Sequence, residues 1–111
     1  MPTSEPHPLA PRDLLVLSVL AAGPLHGYGI VRAVEERSDV QLDPANLHRL
    51  LRRMHRDGWV RETEEDHAAE GRRRTYGLTR TGEQVLRAEV ARLERLLRDL
   101  RPELATPGRR R

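Results

Sequence analysis

The sequence has no cysteine, which removes disulfides, thiolate metal sites, cysteine nucleophiles and thiol redox sensing together. It has no lysine either: all 20 basic residues are arginine, a bias that by itself says nothing about a partner. Aromatic residues make up 3% of the chain, and the single tryptophan, Trp59, lies far from the C-terminal segment, so no aromatic sandwich can be built on a last helix. Long apolar runs are missing as well. The longest, residues 14–22, is about half of the roughly 20 residues that a membrane-spanning helix needs, and Ser18 interrupts it. Residues 1–11 are proline-rich and carry no basic segment ahead of an apolar stretch, so a cytoplasmic location is expected rather than secretion. There is no glycine-rich phosphate loop, no nucleophile set beside a base, and no histidine spacing that suits a metal. An enzyme, a cofactor and a metal site are therefore not expected.

What is present suits a small soluble domain. A chain of 111 residues, 37% hydrophobic and 33% charged, makes one domain with a modest core, for which a dimer interface is a natural way to bury more surface. Net charge is only +3, but it is unevenly placed. Arg49, Arg52, Arg53, Arg56 and Arg61 stand within residues 44–61 against one acid, Asp57, whereas acids gather in 62–70 and along the last helix. Such local asymmetry points to a phosphate-facing surface better than the total does.

Pro11 opens a helix to about residue 22, stopped by Gly23-Pro24. It is apolar nearly all round and therefore central. After a short turn at 25–27, a second helix spans about 28–37 with Ile30, Val31 and Val34 inward. Residues 40–42 offer one strand rung. Asp43-Pro44 reads as the cap and first residue of a third helix, 44–57, with Gly58 placed to end it. Residues 59–63 and 73–78 read as a hairpin around a polar loop, 64–72. Thr79 caps a fourth helix reaching about residue 100 and ended by Pro102. The expected fold class is mainly α with a small β-hairpin: a winged helix-turn-helix over 11–79 and a C-terminal dimerisation helix over 80–101. Tails are expected at 1–10 and 102–111.

In the third helix Leu47, Leu50, Leu51 and Met54 stand at i, i+3, i+4 and i+7 and form the inner stripe. The opposite face carries Ala45, Arg49, Arg52 and Arg56, flanked by Asn46 and Arg53 on one side and His48 and His55 on the other. A helix entering the major groove needs such a face: a small residue for close approach, arginine for guanine edges, asparagine for adenine. Asn46, His48, Arg49 and Arg52 are expected near bases, Arg53 and Arg56 on phosphates. Arg72, Arg73 and Arg74 open the return strand of the hairpin and read as phosphate contacts. The alternative is a solvated charge run paired with Glu64, Glu65, Asp66 or Glu70, acids that keep the tip itself off DNA.

The chain resembles the PadR family of transcriptional regulators from about Pro11 to Leu100. Leu25-His26-Gly27-Tyr28, Glu35-Glu36-Arg37, Pro44-x-x-Leu47-x-Arg49-Leu50-Leu51, Gly58-Trp59-Val60 and Arg73-Arg74-x-Tyr76-x-Leu78-Thr79-x-x-Gly82 carry the resemblance, in order and spacing. It implies a homodimeric winged-helix repressor on a palindromic operator, with the C-terminal helix forming much of the dimer interface. The single short C-terminal helix is similar to that of the smaller members. Two positions depart from the pattern: His48 stands where the family commonly has tyrosine, and Ala45-Asn46 where it has Gly-Thr, which suggests an altered base preference. Family members sense small molecules, but this sequence names no effector.

Leu86, Val90, Leu93, Leu97 and Leu100 alternate steps of four and three, an a/d seam over roughly two heptads. Two heptads are too few to dimerise alone in water, and packing back on the same domain is the alternative. With the resemblance, dimerisation is expected. The rival function is a winged-helix module that binds protein instead of DNA and tolerates loss of Arg49 and Arg52.

Overall fold

The computed structural model describes residues 8–67 and 71–105, with side chains described except at 65–67, 71 and 72. The outer parts of both expected tails, 1–7 and 106–111, lie outside the described residues. The elements are α1 (Pro11–Ala21), β1 (Leu25–His26), α2 (Gly27–Arg37), α3 (Pro44–Arg56), β2 (Val60–His67), β3 (Gly71–Leu78) and α4 (Arg80–Ala105). The strands form one antiparallel sheet in the order β1-β3-β2.

α3 is fixed at both ends. The Asp43 carboxylate accepts from the Asn46 N–H at 3.2 Å, and Pro44 occupies the first turn, where its missing donor costs nothing. At the other end Gly58 takes a φ of 81°, a left-handed conformation that glycine adopts freely. Its N–H bonds the His55 carbonyl at 3.0 Å, and the Trp59 N–H bonds the Met54 carbonyl at 2.8 Å. This double closure satisfies the last turn and delivers the chain straight into the hairpin. Between the ends, Leu47, Leu50, Leu51 and Met54 are at most 5% exposed. They join Val16 and Leu17 of α1, Ile30 and Val34 of α2 and Val60 of β2 in one core. Each fully buried aliphatic side chain contributes about 1.5–3 kcal/mol.

The sheet differs from the sequence expectation in two places. Residues 40–42 form no strand rung: Ser38 Oγ takes the Val40 N–H at 3.1 Å, and Leu42 turns into the core. The third strand comes instead from Leu25 and His26, expected as a turn, which pair with Tyr76 and Thr75 on the other edge of β3. The hairpin is also longer than 59–63 and 73–78. Its ladder continues through Glu64↔Arg74, Glu65↔Arg73 and Asp66↔Arg72 to His67↔Gly71. This stretch lacks the apolar alternation that marks a half-buried strand; its register sets acids opposite arginines instead.

α4 starts as expected and ends later. Thr79 Oγ1 accepts from the Gly82 N–H at 3.0 Å, while the Thr79 N–H donates to the Trp59 carbonyl at 3.0 Å. A Cβ at Gly82 would lie 2.0 Å from that carbonyl oxygen, so only glycine lets the first turn close on the hairpin base. The helix continues through Pro102 to Ala105 instead of stopping before it. Pro102 forgoes one backbone bond in the exposed final turn, which ends the helix late but does not forbid it. One acid of α4 is buried: Glu89, 2% exposed. Arg92 donates to it from Nε at 2.9 Å and from Nη2 at 2.7 Å, and the Leu9 N–H donates at 3.2 Å. The Arg92 bonds, helped by Leu9, hold the Glu89 carboxyl below the usual carboxylate range against the opposing effect of burial.

Candidate nucleic-acid interface

The core stripe of α3 dictates what its other face can do. With Leu47, Leu50, Leu51 and Met54 buried, the helix turns Ala45, His48, Arg49, Arg52 and Arg56 outward, and all five are exposed. Asn46 is half-buried and accepts from Arg49 Nη2 at 2.5 Å, one turn along. That bond orients the guanidinium along the N-terminal half of the helix. Arg53 has another partner: it forms an ion pair with Asp13 of α1, which is 7% exposed. The pair ties α3 to α1, while Arg53 still lines a groove with Asn46, Arg49, Arg52 and Arg56.

The hairpin arginines are likewise not equivalent. Arg74 Nη1 lies 3.1 Å from Glu62 Oε2 on the neighbouring strand. Arg73 is exposed, whereas the Arg72 side chain lies outside the described ones. Tyr76, buried beside this pair, has its phenol pushed up by desolvation first and by the Glu62 charge second. Arg52, His55 and Arg56 of α3 face Glu62 and Arg74 of the hairpin across a cavity of about 480 Å³.

Two residues of this surface were not among the expected site residues. Tyr28, at the start of α2, is 74% exposed, and the Arg32 guanidinium stands 5.9 Å from its ring centre. Both border a larger cleft, about 910 Å³, that His48 of α3 and Arg73 and Arg74 of β3 also line. In the sequence Tyr28 opens the second helix and closes the Leu25-His26-Gly27-Tyr28 motif, and neither reading places it beside α3. Its place beside α3 depends on the angle between the two helices, which no local pattern gives. Among the described residues no group of three histidine or acidic side chains is arranged to hold a metal ion. No helix of the described residues is long and apolar enough to cross a membrane.

Along α4 the expected seam divides. Leu86 is 9% exposed and belongs to the core of its own domain. Val90, Leu97 and Leu100 are exposed, and Leu93 is half-buried. Leu96 and Leu104 are exposed as well, and Leu104 continues the alternating spacing by one further step of four. Pro102 hides that continuation when the sequence alone sets the helix end.

A family model described as the transcriptional regulator PadR-like family matches residues 16–88. An uncharacterized 37.1 kDa protein in transposon TN4556 of Streptomyces fradiae is 41% identical over 84 residues, or 76% of this chain. The chain spans 23% of the length of that curated relative. Among solved structures, a PadR family transcription regulator from hypervirulent Clostridium difficile R20291 is similar with a TM-score of 0.77 and 25% identity, over 86% of this chain and 99% of that one. Bacillus subtilis PadR in complex with operator DNA shares the fold with a TM-score of 0.62 and 21% identity, over 68% of this chain and 44% of that one.

Proposed function

The chain belongs to the PadR-like family of transcriptional regulators, and from that premise we propose that it is a sequence-specific repressor that sits on a palindromic operator as a homodimer. The observation that carries the reading is the outer face of α3: Ala45, His48, Arg49, Arg52 and Arg56 exposed on a helix closed at both ends and held by four buried side chains. In this reading Asn46, His48, Arg49 and Arg52 meet base edges in the major groove, with Ala45 at the closest approach. Arg56 and Arg73 meet phosphates, and Arg72 is assigned to the same edge of the wing. Arg53 and Arg74 add less, because Asp13 and Glu62 already hold them. The operator complex of the Bacillus subtilis protein supports this use of the fold. A protein of this kind works beside the chromosome, in the cytoplasm.

Dimerisation rests on α4. With Leu86 in the domain core, the seam offered to a second copy is Val90, Leu93, Leu97, Leu100 and Leu104. Selection of bound sequences from random duplexes, at a stated salt concentration, tests both halves of the proposal. The expected winner is a palindrome whose half-sites are about 34–36 Å apart, or a multiple of that. Absence of any enriched sequence sinks the DNA reading; a non-repeated site sinks the dimer.

A further inference from the structure

We propose that Asn46 and Arg49 form one reading unit that takes guanine and turns adenine away, so that the operator half-site is guanine-rich under the first two turns of α3. This rests on the DNA reading above. It reverses the base that residue type alone gives Asn46, which is adenine.

In the major groove adenine shows one acceptor, N7, and one donor, the N6 amino group; guanine shows two acceptors, N7 and O6. An asparagine holds adenine by donating from Nδ2 and accepting at Oδ1. Here Oδ1 is already engaged, because Arg49 Nη2 donates to it. A guanidinium has no acceptor, so the amide oxygen, and not its nitrogen, must face Arg49. The Nδ2 donors are left for a base. A second lone pair on Oδ1 remains, but an adenine amino group approaching it comes donor-first against the guanidinium that holds the first. Guanine meets no such conflict, since both of its acceptors face donors, on Asn46 and on Arg49.

The surroundings act in the same direction. Asn46 and Arg49 line one groove with Arg12 of α1 and with Arg52, Arg53 and Arg56 of α3. No acid occurs in residues 44–56. Asp43 and Asp13, the acids bonded to these residues, are both engaged: Asp43 accepts the Asn46 N–H as the helix cap, and Asp13, 7% exposed, is paired with Arg53. His48, whose neutral ring has an acceptor, lines the cleft on the hairpin side of α3 instead. The groove thus carries five guanidiniums and no acidic wall residue. Its positive field favours the acceptor edge of guanine and penalises the amino groups that adenine and cytosine present.

Selection from random duplexes with the full chain, run in parallel for wild type, Arg49→Ala and Asn46→Ala, tests the unit. Wild type is expected to enrich a half-site with two guanines close together on one strand. Arg49→Ala frees the amide oxygen and should exchange one of those guanines for adenine. Asn46→Ala should keep the guanine held by Arg49 and lose the other. Titration of duplexes with guanine or adenine at that position reads the exchange even where Arg49→Ala binds weakly. Replacing either guanine by 7-deazaguanine, which lacks the N7 acceptor, should weaken wild type by about tenfold. Alanine suits a helix at both positions, and circular dichroism checks the fold. A wild-type half-site from which Asn46→Ala removes a preference for adenine overturns the unit, and so does an Arg49→Ala protein that shifts no base to adenine. Both outcomes leave the DNA reading standing, because wild type has enriched a sequence. If wild type enriches none, the DNA reading falls and the unit falls with it.

Discussion

Arg49 and Arg53 are one helical turn apart on α3, and only their surroundings separate them: Arg49 is exposed and bonded to Asn46, whereas Arg53 is paired with the buried Asp13. The expected outcome for Arg49→Ala is a loss of about 1–3 kcal/mol of binding to the selected duplex and little loss on a scrambled one. Arg73→Ala should weaken both duplexes alike and reduce the salt slope by about one unit, as titrations at several salt concentrations would show. The helical periodicity places both α3 arginines on the outer side, but Asp13 lies 40 residues away, and no spacing rule announces such a partner. Glu89 was invisible for the same reason, since its burial needs Leu9 and the rest of the fold. Its lowered carboxyl gives stability in full above the unfolded value of about 4.3, and that stability is lost as pH falls through the lower folded value. Glu89→Gln should therefore lower Tm at neutral pH and remove this part of the acid dependence. A Tm series from pH 7 to pH 2 checks it.

At the scale of elements, the parts with local chemistry were legible and the parts built by pairing were less so. Asp43, Gly58 and Thr79 mark helix ends through bonds to neighbours in sequence, and the structure contains those bonds. Asp43→Ala should cost about 1 kcal/mol of stability in denaturant titrations, the usual loss of an N-cap. β1 could not be read in advance, because a two-residue strand has no periodicity and exists only where β3 offers an edge. The outer hairpin was obscured by its own polarity: charges at facing ladder positions look like loop when the strands are read singly. A diagonal pair across the same two strands is open to test, since Glu62 faces Tyr76 in the register yet holds Arg74. Glu62→Gln removes the acid beside Arg74 and should tighten binding to selected and scrambled duplexes together, with a steeper salt dependence.

The whole molecule has a Cα radius of gyration of 17.3 Å, against about 13 Å for a compact chain of this length. The excess fits an α4 of 26 residues, about 39 Å long, whose last leucines have no core of their own to enter. Leu93→Glu combined with Leu97→Glu should leave a folded monomer with much weaker hold on the selected duplex; an unchanged dimer in sedimentation would overturn the role given to α4. Where such a protein works, its competitor is the rest of the chromosome, on the order of 10⁶–10⁹ wrong sites. On the DNA reading, Arg74, paired with Glu62 on the neighbouring strand, adds less hold on a random sequence than an unpaired arginine would. Such pairing then widens the gap between operator and background by weakening the background.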